Sequence, residues 1–227
     1  MKKLLATLAT FGALCVPMPA LTEPNVQPYT LEAMGCMKLG ECRDQVYWLH
    51  SMDVIREHFP GQSYTMVDDE ADELLAALDR AGVRVYLAAG HHFPRTHRGS
   101  YYTDTNTFFL NANHMWDQYV FIDVLRHEAW HAAQDCMAGS LENSMLAVIH
   151  MEEDVPERYR LSASVRYRGD WARAVPWEQE AIWAGNTPMM SVDAINVCAD
   201  GDGMWNTYEP TPMTREWLES EGYINEY

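Results

Sequence analysis

The chain has 227 residues, with 16 Lys and Arg against 33 Asp and Glu and a formal net charge of −17. That length suits one domain with a substantial core, and so acidic a balance excludes nucleic acid and anionic membrane surfaces as partners, since both need positive charge to displace counterions. Although 48% of the residues are hydrophobic, no later run matches the roughly eighteen consecutive apolar residues of a membrane span, so no membrane partner is expected for a soluble mature form.

In chain order, residues 1–20, MKKLLATLATFGALCVPMPA, begin with two lysines, continue in an apolar run and end on the small Ala20. They read as a secretory signal peptide, with cleavage expected after Ala20 and a secreted or periplasmic product. Its loss removes Lys2 and Lys3, leaving 14 basic residues against 33 acidic ones and a net charge near −19. Residues 21–227 are then expected to form a single domain. Cys36, Cys42, Cys136 and Cys198 remain, an even number in an oxidising setting, which predicts disulfides. Of the three pairings, Cys36 with Cys42 and Cys136 with Cys198 are preferred. The first closes the short loop GCMKLGEC; the second ties the end of one long helix to a later segment. The C-x5-C spacing of Cys36 and Cys42 argues against a cysteine zinc site.

Residues 41–59 carry Val46, Tyr47, Leu49, Val54 and Ile55 in rough helical order and stop at Pro60-Gly61, which predicts a helix. Residues 68–81, DDEADELLAALDRA, predict an amphipathic helix with acids in its first turn and Gly82 just beyond it. VRVYLA at 83–88 predicts a strand. A loop over 90–99 follows with His91, His92 and His97, expected to be polar and solvated because the three histidines follow no ligand spacing. Residues 100–103 and 107–110 predict a hairpin around Asp104-Thr105-Asn106.

The next segment, FIDVLRHEAWHAAQDCM, is the one that carries chemistry. No Pro or Gly interrupts residues 116–138, and Ala129, Ala132 and Ala133 favour helix. On a helix, residues four apart lie on one face, so His127 and His131 can direct ring nitrogens at one point. Glu128 sits about 100° further round and points beside that point. H-E-x-x-H of this kind pairs two zinc ligands with a general base for a water activated by the metal. With 9 His and 18 Glu in the chain, chance placement gives roughly 0.03 occurrences, so accident is an uncommon explanation.

A catalytic zinc keeps three protein ligands and an open fourth position. The extended pattern H-E-x-x-H-x-x-G-x-x-H fails here, since Gln134 and Met137 stand at its Gly and last His. Downstream, Pro176-Trp177-Glu178-Gln179-Glu180-Ala181 opens a predicted helix through Ala184. This pair of segments resembles the gluzincin-type metallopeptidases of the zincin superfamily, in which a second helix supplies the third ligand in an E-x-x-A-like context. The resemblance spans residues 117–184 and implies Glu178 as third ligand, with Glu180 in reserve. It also implies an α+β, zincin-like fold, mainly helical, with a small sheet packed beside the metal-binding helix. In such folds a strand near the metal pairs with an extended substrate, and residues 107–110 are the expected one.

Between the two segments, residues 141–150 predict a further helix and 154–170 are charged and Arg-rich. His150, Tyr159, Tyr167 and Tyr208 are each eligible to stabilise an oxyanion. Asp200-Gly201-Asp202-Gly203 lacks the full ligand set of a calcium loop and predicts a turn. Residues 214–221 predict a last short helix. The function expected is an exported peptidase acting on peptide or protein substrates, with one Zn²⁺ on His127, His131 and Glu178 and Glu128 as general base. Its rivals are an inactive zincin-like metal-binding or interaction protein and a zinc amidase acting on cell-wall amides. The free carboxylate of Glu128 separates catalysis from a structural site, which closes all four positions with ligands.

Overall fold

A computed structural model describes residues 45–94, 96–139, 141, 145–201 and 203–222. The leader and the Cys36–Cys42 pairing lie outside them. The fold is α+β. Four strands, β1 (Val46–Trp48), β2 (Arg84–Ala88), β3 (Gly99–Tyr102) and β4 (Thr107–Asn111), form a mixed sheet in the order β1-β2-β4-β3. β2 and β4 run parallel, while the outer pairs are antiparallel. The helices are α1 (Met52–His58), α2 (Asp68–Arg80), α3 (Gln118–Met137), α4 (Glu157–Arg166), α5 (Val175–Gly185), α6 (Met190–Ala199), α7 (Gly203–Tyr208) and α8 (Arg215–Ser220). None is long and apolar enough to cross a membrane among the described residues.

Side chains alternate across the sheet, as the pleat requires. Val85, Leu87, Phe108 and Leu110 join the main core, whereas Tyr102 and Phe109 form a smaller cluster on the other face, with Tyr86 stacked on Phe109 at 5.2 Å. Helix α2 buries Ala71, Leu74, Leu75, Ala77 and Leu78 on one stripe and ends before Gly82, whose φ of 84° suits a residue without Cβ.

Helix α3 is the centre of the molecule. Asp117 caps it, its side chain accepting from the Tyr119 and Val120 N–H groups. Its buried residues lie all round the axis and include Arg126, Glu128, His131, Gln134 and Asp135. A helix enclosed on every side needs partners for such groups. Arg126 reaches Glu70 through Nε at 2.7 Å and through Nη2, and donates to the Gly185 carbonyl at 3.2 Å. Tyr101 donates to Asp135 at 2.7 Å, which fastens β3 to α3. Glu70 also accepts from the Met189 N–H at 2.7 Å, holding that residue at φ 66° at the start of α6.

Three expected elements are corrected. The helix over 41–59 is in fact strand β1 followed by α1. Val46, Tyr47 and Trp48 are strand-favouring residues that find partners in β2, and only Met52–His58 coils. No helix forms over Met145–His150. There the Ala147 N–H donates to the Gln134 carbonyl, and the Ile149 and His150 N–H groups donate to Glu180, so tertiary acceptors replace an i→i−4 ladder. The histidine loop is not uniformly solvated: after the 3-10 turn Gly90–His92, both His92 and Phe93 are buried. The hairpin, the turn at Asp200-Gly201 and the last helix form as expected, the last capped by Thr214.

Cys136 and Cys198 are joined, with Cα atoms 6.0 Å apart and a sequence separation of 62. The bond fastens the end of α3 to the end of α6. Replacing both by Ala is expected to lower the free energy of unfolding by roughly 2–4 kcal/mol, read as an earlier urea midpoint with a steeper slope, because the unfolded chain freed of its cross-link exposes more surface. An unchanged midpoint would mean that helix packing alone holds these ends.

Candidate metal centre

His127 and His131 stand one turn apart on α3, with ring centroids 4.9 Å apart and planes at 86°. Glu178, in the first turn of α5, approaches both. Its Oε2 lies 3.3 Å from His127 Nε2 and its Oε1 3.7 Å from His131 Nε2. One donor atom from each of the three falls within 4.8 Å of the others. The close crossing of α3 and α5 makes this meeting possible. A Cβ at Gly185 would lie 2.8 Å from Asp123 Oδ1, 2.9 Å from the Asp123 carbonyl and 3.5 Å from His127 Cβ. Seven residues earlier, two turns along the same face, stands Glu178.

Glu180 does not join them. Two residues on, it projects about 200° away round the helix and is fully buried. Its Oε2 accepts from Trp130 Nε1 at 3.2 Å, Gln134 Nε2 at 2.7 Å and the Ile149 N–H at 3.2 Å, and its Oε1 accepts from the His150 N–H at 2.5 Å. The reserve assignment is therefore corrected: Glu180 fastens α3, α5 and residues 145–150 together.

The electrostatics favour a cation at the three-residue point. Burial opposes ionisation of Glu178, but His131, His127 and the Tyr167 hydroxyl outweigh it and hold the carboxyl at about 2. Burial likewise disfavours charge on His127, yet Glu178, with Glu128 and Asp123 behind it, lifts the imidazole to about 9. Burial keeps His131 below its ordinary value, with His127 adding to the effect against the pull of Glu178. Glu178 Oε2 is buried and faces His127 Nε2 at 3.3 Å without a well-formed hydrogen bond. Two imidazoles and a carboxylate are the donor set of a catalytic zinc, and bonds of about 2.0–2.1 Å place tetrahedral ligands about 3.3 Å apart. The observed 3.3 and 3.7 Å run to the two different oxygens of Glu178, and with one donor atom per residue the set closes to within 4.8 Å, near enough for the three to converge on one ion.

Glu128 sits beside the converging atoms and is 6% exposed. Burial raises its carboxyl to about 7; His127 and the Tyr101 N–H pull it down, while Glu178 pushes it up. Gly99 of β3 lies directly against it: a Cβ there would be 2.5 Å from Glu128 Oε1 and 2.8 Å from Cγ. The loop ahead of β3 brings His97 within the electrostatic reach of Glu178, although burial keeps its imidazole below the ordinary value.

Of the four residues eligible for oxyanion contact, only Tyr167 reaches the site, hydrogen-bonding Glu178, with its hydroxyl pushed up first by burial and then by that carboxylate. His150 is packed among Trp130, Trp183 and Tyr208. Tyr159 is buried under the Arg158 guanidinium. The expected substrate strand also changes. β4 is enclosed between β2 and β3, which use its main-chain groups, whereas β3 is the edge strand beside α3. Gly99, Tyr101 and Gln134 were missed as parts of the site, and Glu180 was expected there in a different role. Only Gln134, three residues beyond His131 and so on its face, carried a readable signal. No protein-family model, curated protein or solved structure matches the chain.

Proposed function

We propose that this protein is an exported, zincin-like, zinc-dependent metallopeptidase in which His127, His131 and Glu178 hold the metal and Glu128 is the general base. The observation that carries this is the meeting of two helical histidines with one carboxylate from another helix, while a second, buried carboxylate stands beside them uncommitted to the metal. When bound, zinc supplies Lewis acidity that polarises a carbonyl and lowers the pKa of water to about 7. Glu128 takes the proton from the attacking water on its carboxylate and hands it to the leaving amine. The Tyr167 hydroxyl donates to Glu178 and holds that ligand in place. β3 replaces β4 as the edge along which an extended peptide lies.

The test is elemental analysis of the purified protein, paired with cleavage of a mixed peptide library with and without chelator. About one zinc per chain with chelator-sensitive cleavage supports the peptidase. Zinc without cleavage of any peptide moves the reading to an inactive metal-binding protein or to cell-wall amides.

Gly99→Ala probes the placement of the base without touching a ligand. The added Cβ displaces the Glu128 carboxylate, and a shift near 1 Å costs about 10²-fold in turnover. Zinc stoichiometry should stay the same. Wild-type turnover in this variant would show that the contact with Glu128 is not needed.

A further inference from the structure

A neutral histidine presents a lone pair on only one ring nitrogen, so a metal-binding imidazole must be held in the right tautomer. His131 Nε2 faces Glu178, and its Nδ1 lies 2.8 Å from Gln134 Oε1. The Gln134 amide is fixed from its other end, where Nε2 donates to Glu180 Oε2 at 2.7 Å and to the Trp177 carbonyl at 3.1 Å. Both of those partners are acceptors, so turning the amide over would set oxygen against oxygen. The contacts around Glu180 hold it as an acceptor. Its four contacts come from Trp130, Gln134, Ile149 and His150, all of them N–H donors, and a proton on the buried carboxyl would find no acceptor.

We propose that Glu180 and Gln134 are positioning residues that fix His131 as its Nδ1–H tautomer, and so decide which ring nitrogen is offered to the metal. The sequence of roles is acceptor at Glu180, donor then acceptor across the Gln134 amide, donor at His131 Nδ1, and a free lone pair at Nε2. This explains why a carboxylate that binds no metal is buried in the same helix as the ligand Glu178. It also accounts for Gln134 at the position three residues after the second histidine. Partners of this kind fix ligand orientation and raise affinity in metal sites generally.

The proposal rests on reading His127, His131 and Glu178 as a metal centre, but its test begins without metal. Nitrogen-15 NMR of the metal-free wild-type protein should show His131 as the Nδ1–H tautomer; an Nε2–H tautomer there overturns the relay. Gln134→Leu removes the acceptor at His131 Nδ1 while keeping most of the side-chain bulk, and leaves Glu178, which faces Nε2, as the acceptor in reach. In that variant the proton of His131 should move to Nε2 while His127 does not change, and zinc affinity, measured by competition with a chromophoric chelator, should fall about 10–100-fold. A merely structural Gln134 would lower the melting temperature and leave the tautomer unchanged. A folded Gln134→Leu protein that keeps Nδ1–H on His131 and binds zinc within about threefold of wild type therefore overturns the proposal. Should that variant not fold, the wild-type spectrum still decides. Failure of zinc to bind wild type overturns the metal centre and leaves the tautomer result standing by itself.

Discussion

Glu128→Gln is expected to leave zinc content at its wild-type level and lower peptide cleavage by about 10³-fold or more. General bases contribute about 10²–10⁴-fold to proton transfer, and Glu128 has no described substitute in reach of the same point: Glu178 is engaged with both histidines and Glu180 points into a nest of donors. Gln is the right probe because it keeps the shape and the acceptor for the Tyr101 N–H, so the β3 contact survives while the basic oxygen is lost. The measurement is kcat on a peptide found in the library screen, alongside zinc per chain on the same sample. Full activity in this variant removes Glu128 from the chemistry. Loss of zinc together with activity would make it a ligand instead of a base.

Glu178→Ala is expected to have the opposite signature, with zinc affinity weakened by more than about 100-fold. Changes to groups that merely orient ligands already cost 10–100-fold, and Glu178 is the one member of the three that comes from a second helix. Without it, two imidazoles on adjacent turns of α3 are left with no third arm to close round an ion. Melting of the metal-free protein with added zinc gives an independent measure. At zinc concentrations near 100 times Kd, the wild type should gain about 2.7 kcal/mol, or about 5–10 °C for a chain of this size. The variant should gain almost nothing. An unchanged shift in Glu178→Ala would take the third ligand away from Glu178 altogether.

Much of the site could be read before any coordinates, because its first part is local. The 3.6-residue repeat alone puts His127 and His131 on one face and Glu128 beside them, and the helix over Gln118–Met137 formed as the sequence predicted. Helix α2 was legible for the same reason, as were β2 and the hairpin of β3 and β4, whose turn residues sit between two strand-forming runs. The Cys136–Cys198 bond followed from an even cysteine count and plausible element order. Residues 145–150 were misread because their N–H groups bond to Gln134 and Glu180, acceptors that only the fold brings near. β1 was misread because three strand-forming residues are too few to outweigh a helical pattern until β2 lies beside them.

By itself, then, the sequence determined the chemistry on α3: two imidazoles and a carboxylate whose spacing is fixed by the helix that contains them. Tertiary structure alone decided which partners complete it. Glu178 and Glu180 have the same charge and lie in the same first turns of α5, and only the close crossing at Gly185 turns Glu178 toward His127 and His131 and Glu180 toward Trp130 and Gln134. The same packing singles out Tyr167 from four eligible residues and makes β3, not β4, the edge beside Glu128. Helical periodicity is set by neighbours a turn apart, whereas these choices depend on how two helices and a sheet edge approach one another across about 30–50 residues of intervening chain, where side-chain volume and hydrogen-bond partners, rather than local pattern, select the contact.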